Sequence, residues 1–288
     1  MDIEAYNKTK GISCILLSAF CFAVMNLCVK MAGELPTIQK CLFRNFISFF
    51  VAVVVIKKEN VPISNTKSNN GLLVLRSVFG LLGVLCNFYA IDHMALSDAN
   101  ALNKLSPFFT LIFSAVLLKE KVTLKQWGMV LLAFIGSLLV LKPFTNSTVL
   151  YASLIALCGG AAAGLAYTII RKLSSRGINR WVIVGFFSAV SLIVMLPLTI
   201  RSFVAMKTTQ LLWLIAAGMF ATGGQLGVTT AYYYAPAREI SVFDFSQILF
   251  SALLGYMFLN QVADTFSYIG YLIIIISAIL DTVARNKR

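Results

Sequence analysis

Asn100, Asn103, Lys104 and Pro107 recur at three- and four-residue spacings within "ALSDANALNKLSPFFTLIFSAVLL", residues 95–118. Those spacings put all four on one side of a helix. Lys104 lies about nine residues into an otherwise apolar segment. A charge near the centre of a bilayer costs roughly 2.5–3.5 kcal/mol on insertion scales, so it turns to a protein interior or a water-filled cavity rather than to lipid. Two readings follow. In one, the stripe is a cavity wall, and Pro107 frees a backbone carbonyl near residue 103 to meet substrate or act as a hinge. In the other, the stripe glues helices together and an acid elsewhere holds Lys104. Ser97 and Asp98, on a different side of the same helix, read as capping groups at its start.

A second polar stripe runs through Ser241, Asp244, Gln247 and Ser251. Asp244 has three possible tasks there: neutralising Lys104, recognising an ammonium group, or binding and releasing a proton if burial raises its pKa. Its depth, nearer the cytoplasmic side, argues against a tight pair with Lys104. Arg44 and Arg76 each lie five or six residues inside a predicted helix, which leaves both snorkelling to headgroups and structural pairing open. If they face inward, Arg44, Arg76 and Lys104 oppose one acid and suit an anionic or carboxylate-bearing substrate. Lys30 reads as an anchor at the outer end, and Tyr232, Tyr233 and Tyr234 as interfacial anchors.

The elements that must carry these residues are membrane helices. Of 288 residues, 59% are hydrophobic and 12% charged, and the mean hydropathy is +0.86, far from the composition of a soluble domain. A bilayer crossing needs roughly 20 apolar residues, and segments of that kind start near Ile12, Ile38, Leu72, Ala95, Leu124, Val149, Trp181, Leu211, Ile240 and Thr265. The expectation is an all-α integral membrane protein of ten transmembrane helices, with no soluble domain and no removable signal peptide. Counted by alternate loops, sixteen Lys and Arg fall on the side of the N-terminus and three on the other. Both termini are therefore expected in the cytoplasm. The formal charge of +13 is on this reading a topology signal, and no nucleic-acid partner is implied. Cys14, Cys21 and Cys28 share a heptad stripe that reads as packing surface, and no pair of cysteines has CxxC spacing. No metal site or cofactor is expected.

The two halves echo one another at a shift of 141 residues: Lys30 meets Arg171, Asp98 meets Glu239, Asn103 meets Asp244, Ser106 meets Gln247, and Glu120 meets Gln261. Five helices are an odd number, so a second copy enters the membrane from the opposite face, as in many secondary transporters. The expected domains are residues 10–143 and 148–284. "LLKEKVTLK" after the fourth helix is lysine-rich, whereas its counterpart "FLNQVADTF" has no basic residue. Small residues in "GGAAAG" and at Gly80, Gly83, Gly218, Gly223, Gly224 and Gly227 permit close helix approach.

Several features in order resemble the EamA domain of the drug/metabolite transporter superfamily. They are Arg76 opening the third helix, glycines after it, "MALSDA", Pro107, Glu120 at the end of the fourth helix, and "FIG" with a closing Pro143. "APAREISVFDFSQILFSALLGYMFLNQVADTFSYIG" is similar to the family's second domain. The chain departs from the pattern at Gln261, Ala263 and Asp244, so a relative's substrate does not transfer directly. The resemblance implies a multi-pass secondary transporter of the cell membrane, embedded in the bilayer, whose partners are a small-molecule substrate and a possible coupling proton. It is expected to act by alternating access as an exporter or exchanger of amino-acid-like or carboxylate-bearing compounds. Some members of the family instead take up compounds such as S-adenosylmethionine or riboflavin. A channel or scaffold is the alternative of another class. An enzyme fits poorly, because His93 is the only histidine and neither HExxH nor a Walker motif is present.

Overall fold

A computed structural model describes residues 3–62, 69–117, 124–141, 147–234 and 243–286. Among them every regular element is a helix: α1 Ile3–Met31, α2 Thr37–Lys58, α3 Asn70–His93, α4 Leu96–Asn103, α5 Ser106–Leu117, α6 Leu124–Leu141, α7 Ser147–Ser175, α8 Arg180–Arg201, α9 Thr208–Tyr234, α10 Ser246–Leu259 and α11 Thr265–Asn286. Six contain apolar stretches long enough to cross a membrane, namely α1, α2, α3, α7, α8 and α9. Arg238, Glu239, Ser241, Glu120 and Pro143, all singled out in the sequence, lie outside the described residues.

The segment expected as one helix from Ala95 is two. Lys104 closes α4 with φ −73° and ψ 7°, Leu105 N donates to Leu102 O at 3.2 Å, and Phe108 N to Leu105 O at 2.9 Å. Pro107 has no N–H to give Asn103 O, so one α-helical bond is missing at this point. Within the first turn of α5 the missing donor costs nothing. The interruption recurs in the second half without a proline. Residues 243–244 are helical, Phe245 is a turn, and α10 begins at Ser246. Lys104 and Phe245 are 141 residues apart.

Packing follows the same exchange of halves. Helix α1 lies along α9, and α3 along α7; α2 faces α8, α6 faces α11, α4 and α5 rest on α7, and α10 rests on α1. Swapping the halves maps this set of neighbours onto itself. Small residues make the two longest seams possible. A Cβ at Gly227 would sit 3.0 Å from Cys14 O and 2.9 Å from Ser18 Cβ, and one at Gly159 2.8 Å from Cys86 Cβ. Gly33 (φ 72°) and Gly177 (φ 74°) turn the chain at the first connection of each half, a left-handed conformation open to glycine at little cost.

Candidate functional site

The two helix interruptions are tied together. Lys104 Nζ donates to Asp244 Oδ2 at 2.6 Å, and both residues are buried. The depth difference read from sequence assumed unbroken helices. With α4 closed at Lys104 and the second half broken at Phe245, the two stripes meet, and the tight pair is formed after all.

Beside this pair lies a cavity of about 80 Å³ lined by Arg44, Arg76, Asn103, Lys104 and Gln247, all read from the sequence, and by Asn26, Asn87, Tyr167, Phe187 and Gln225 among others. Arg44 and Arg76 do not snorkel: they are 4% and 3% exposed. Both guanidinium groups sit on the ring of Phe187, Arg76 Cζ 4.0 Å and Arg44 Cζ 5.8 Å from its centroid, a favourable cation–π arrangement. Gly80 makes room for it, since a Cβ there would lie 3.0 Å from Arg76 Nη1 and 3.1 Å from Phe187. Arg44 Nε reaches Met25 Sδ at 3.4 Å and Nη1 reaches Asn45 Oδ1 at 3.3 Å. Arg76 Nε and Nη1 are buried with no hydrogen-bond partner among the described residues. Buried polar groups are ordinarily partnered, so these two donors are left available to a further partner.

Asn100 stands behind the lining and joins it. Asn26 Nδ2 donates to Asn100 Oδ1 at 2.6 Å and Gln247 Nε2 to the same oxygen at 2.8 Å. Asn87 Nδ2 donates to Asn26 Oδ1 at 3.3 Å. Pro107 lies past the break and is not part of the lining; its contribution is the break itself. Ser251 is buried, with no partner for its hydroxyl among the described residues.

Two further expectations change. Ser97 and Asp98 do not cap α4: its N-cap is Ala95, without a side-chain bond, while Leu96 N donates to Gln261 Oε1 at 3.1 Å. Asp98 instead accepts from the hydroxyl of Tyr271, with Ser97 Oγ 2.9 Å from the same oxygen, joining α4 to α11. Lys30 is no interfacial anchor, because its Nζ donates to Ile91 O at 2.7 Å and Met94 O at 2.5 Å. Tyr234 carries Lys10 Nζ 4.9 Å above its ring, and the side chains of Tyr232 and Tyr233 lie outside the described set.

Asn26, Asn87, Tyr167, Phe187 and Gln225 were not found by reading the sequence, which weighed intramembrane charges first. The available signal was a neutral amide in an apolar run, as in "AVMNLCV" and "GVLCNFYA". Burying an amide without a partner also carries a cost. Among the described residues no three His, Cys, Asp or Glu side chains gather as a metal site.

The cavity thus gathers three buried cations beside the two helix interruptions, and the comparisons say what class of protein carries it. The EamA-like transporter family model matches residues 9–142 and again 150–282. The chain is 32% identical over 281 residues to the pseudopaline exporter CntI of Pseudomonas aeruginosa, covering 96% of this chain and 97% of that one. It is 25% identical to a riboflavin transporter of Vibrio cholerae over 98% and 96% of the two chains, and 25% identical to human solute carrier family 35 member G1 over 93% and 77%. A solved crystal structure shares the fold, with a TM-score of 0.72 at 14% identity over 97% of this chain and 98% of that one. This chain belongs to the EamA-like transporter family. It is a multi-pass membrane protein whose relatives move small molecules.

Proposed function

We propose that the chain is a secondary transporter of the cell's inner or plasma membrane that exports, or exchanges, an amino-acid-like or carboxylate-bearing metabolite. On this reading residues 10–143 and 148–284 are two inverted five-helix repeats, the chain crosses the membrane ten times, and both termini are cytoplasmic. The self-mapping helix contacts and the paired interruptions support the repeat. The observation that carries the substrate reading is Arg76. Its guanidinium is buried beside Arg44 with two donors unpartnered, a form suited to forked recognition of a carboxylate. Lys104, Asp244, Asn103 and Gln247 complete the binding site, Asn100 supports it from behind the lining, and Pro107 sets the hinge.

The cavity's roughly 80 Å³ is small against the 300–1,000 Å³ typical of sites that enclose drug-sized ligands. Substrate entry therefore requires the halves to part, as alternating access does. Export is supported by the likeness to a pseudopaline exporter. Asp244 is also the candidate coupling group, with Oδ1 unpartnered among the described residues.

The test is counterflow in proteoliposomes, with metabolite extract trapped inside and labelled carboxylates outside. Saturable accumulation driven by trapped acids is the expected result. Non-saturable flux points to a channel, and no flux to a scaffold; either outcome overturns the reading. A second reading, uptake of a nucleoside- or vitamin-like compound such as S-adenosylmethionine or riboflavin, is favoured by the riboflavin-transporting relative and by Phe22, Phe88, Tyr167 and Phe187 in the cavity wall. Competition by riboflavin but not by carboxylates identifies it.

A further inference from the structure

Four of the amides in and behind the cavity wall, Asn100, Asn26, Gln247 and Asn87, form a relay whose direction is fixed at one end. Asn100 Nδ2 donates to the backbone carbonyl of Leu96 at 2.7 Å. A carbonyl can only accept, so the Asn100 side chain must present its nitrogen there and its oxygen to the cavity side. That oxygen receives Asn26 Nδ2 and Gln247 Nε2, so both of those amides are turned nitrogen-inward. Asn26 Oδ1 in turn receives Asn87 Nδ2. Each amide has now placed one of its two N–H donors on a neighbour. Within the relay, the atoms left unpartnered among the described residues are Asn87 Oδ1 and Gln247 Oε1, and Asp244 Oδ1, three residues before Gln247, is unpartnered too; the lining amide Gln225, outside the relay, instead leaves its Nε2 donor unpartnered. The three oxygens are acceptors, and Gln225 is the one lining amide whose unpartnered atom is a donor. Turning any one amide over would set two oxygens or two nitrogens against each other along the relay.

The cavity is therefore bipolar. One wall presents Arg44 and Arg76 on Phe187, with donor atoms unpartnered. Another part of the lining carries the acceptors of Asn87, eleven residues along α3 from Arg76, and of Gln247. We propose that the relay makes this second wall a recognition surface for a protonated amine, that Asn87 and Gln247 are specificity-determining residues contacting it, and that Asn100 is the positioning residue that holds them oxygen-outward. The ligand is then a bipolar molecule, anionic at one end and ammonium-bearing at the other. This rests on the proposed transporter reading and narrows it, since a carboxylate alone satisfies only the arginine wall. An unpartnered buried acceptor is costly, and an amine-free acid leaves all three in that condition. The specificity thus acts by rejecting the acid as well as by attracting the amine.

The experiment uses the purified full chain in detergent and in proteoliposomes. The probes are ω-amino acids from glycine to 6-aminohexanoate, with the n-alkyl acids and n-alkyl amines of matching length. Thermal stabilisation and counterflow are read for each. At the best-fitting length the ω-amino acid is expected to bind about tenfold more tightly than its acid or its amine, the gain from one charge-assisted hydrogen-bonded contact. Asn87→Leu should bring the ratio of amino acid to acid close to one while acid binding persists, and Asn87→Asp should keep or raise the ratio. If Asn87→Leu does not fold, Gln247→Leu serves the same purpose at the other free oxygen. Asn100→Leu, which acts only through its neighbours, should lower the ratio and not merely the overall affinity; an equal loss for all probes assigns it a structural role and overturns its part. If acids bind as well as amino acids, or the ratio survives Asn87→Leu, the bipolar assignment falls while the carboxylate reading stands. If no probe carrying a carboxylate binds, both fall.

Discussion

At the end of the bundle that carries the α1–α2 turn, Lys30 Nζ is bonded to two carbonyls at the C-terminus of α3, and Lys40, 1% exposed, holds Asp92 at 2.6 Å. Around the central cavity Arg44, Arg76 and Lys104 are buried to a similar degree. The first group leaves no buried donor or acceptor without a partner, whereas Arg76, Asn87, Asp244 and Gln247 each leave at least one. Both regions carry charge into apolar helices. Of these two regions only the second leaves charged and amide groups unsatisfied among the described residues, and on the proposed reading that excess marks the site. Removing a charge from the brace should cost stability and spare transport. At the site, transport should fail whatever stability does.

The largest expected effect is at the pair joining the interrupted helices. Lys104→Met or Asp244→Asn leaves a buried partner unmatched and should cost about 3–5 kcal/mol, read as a lowered thermal midpoint in detergent together with loss of counterflow. The double variant should recover most of the stability and none of the transport; recovery of both would make the pair a brace. If Asp244 also carries the coupling proton, whatever residual transport Asp244→Asn retains no longer depends on a pH gradient. Unchanged gradient dependence removes that role.

Lys40→Met should cost roughly 1–3 kcal/mol, because Asp92 loses its charged hydrogen bond but, at 20% exposure, keeps contact with water. Its counterflow per folded molecule should match the wild type, and a transport defect larger than the stability loss would move this end of the bundle into the mechanism. Gly80→Ala tests the cavity side more gently. The added methyl must push Arg76 Nη1 or Phe187 by a few tenths of an ångström, so apparent affinity should fall several-fold with a stability change below about 1 kcal/mol. An unaltered affinity would detach the stacked guanidinium from substrate binding.

Much of this was legible in the sequence because it rests on types of residue that membranes tolerate badly. Lys104, Arg44, Arg76 and Asp244 announce themselves as charges in apolar runs, and Pro107 as a missing donor. The repeat was visible as register alone. What the sequence did not reveal is where the helices stop. Phe245 ends a helical turn with no proline or glycine to signal it, and without that break Asp244 falls at the wrong depth to meet Lys104. The amide relay was hidden for a different reason: Asn26 and Asn87 are single neutral residues on helices distant in sequence, and their meaning comes only from which atom faces which. Gln261, noted as a departure from the family pattern, acquires a role as well, accepting from Leu96 N at the start of α4.

The central claim is that Arg76 is kept buried and partly unpartnered for a substrate's anion. Arg76→Gln, measured in parallel for thermal midpoint and for carboxylate counterflow, tests it most directly. Removing a buried cation with two unpartnered donors relieves a desolvation cost, so the midpoint should stay level or rise while counterflow falls at least about tenfold. A variant that transports like the wild type, or whose midpoint drops as far as that of Lys40→Met, would contradict the account.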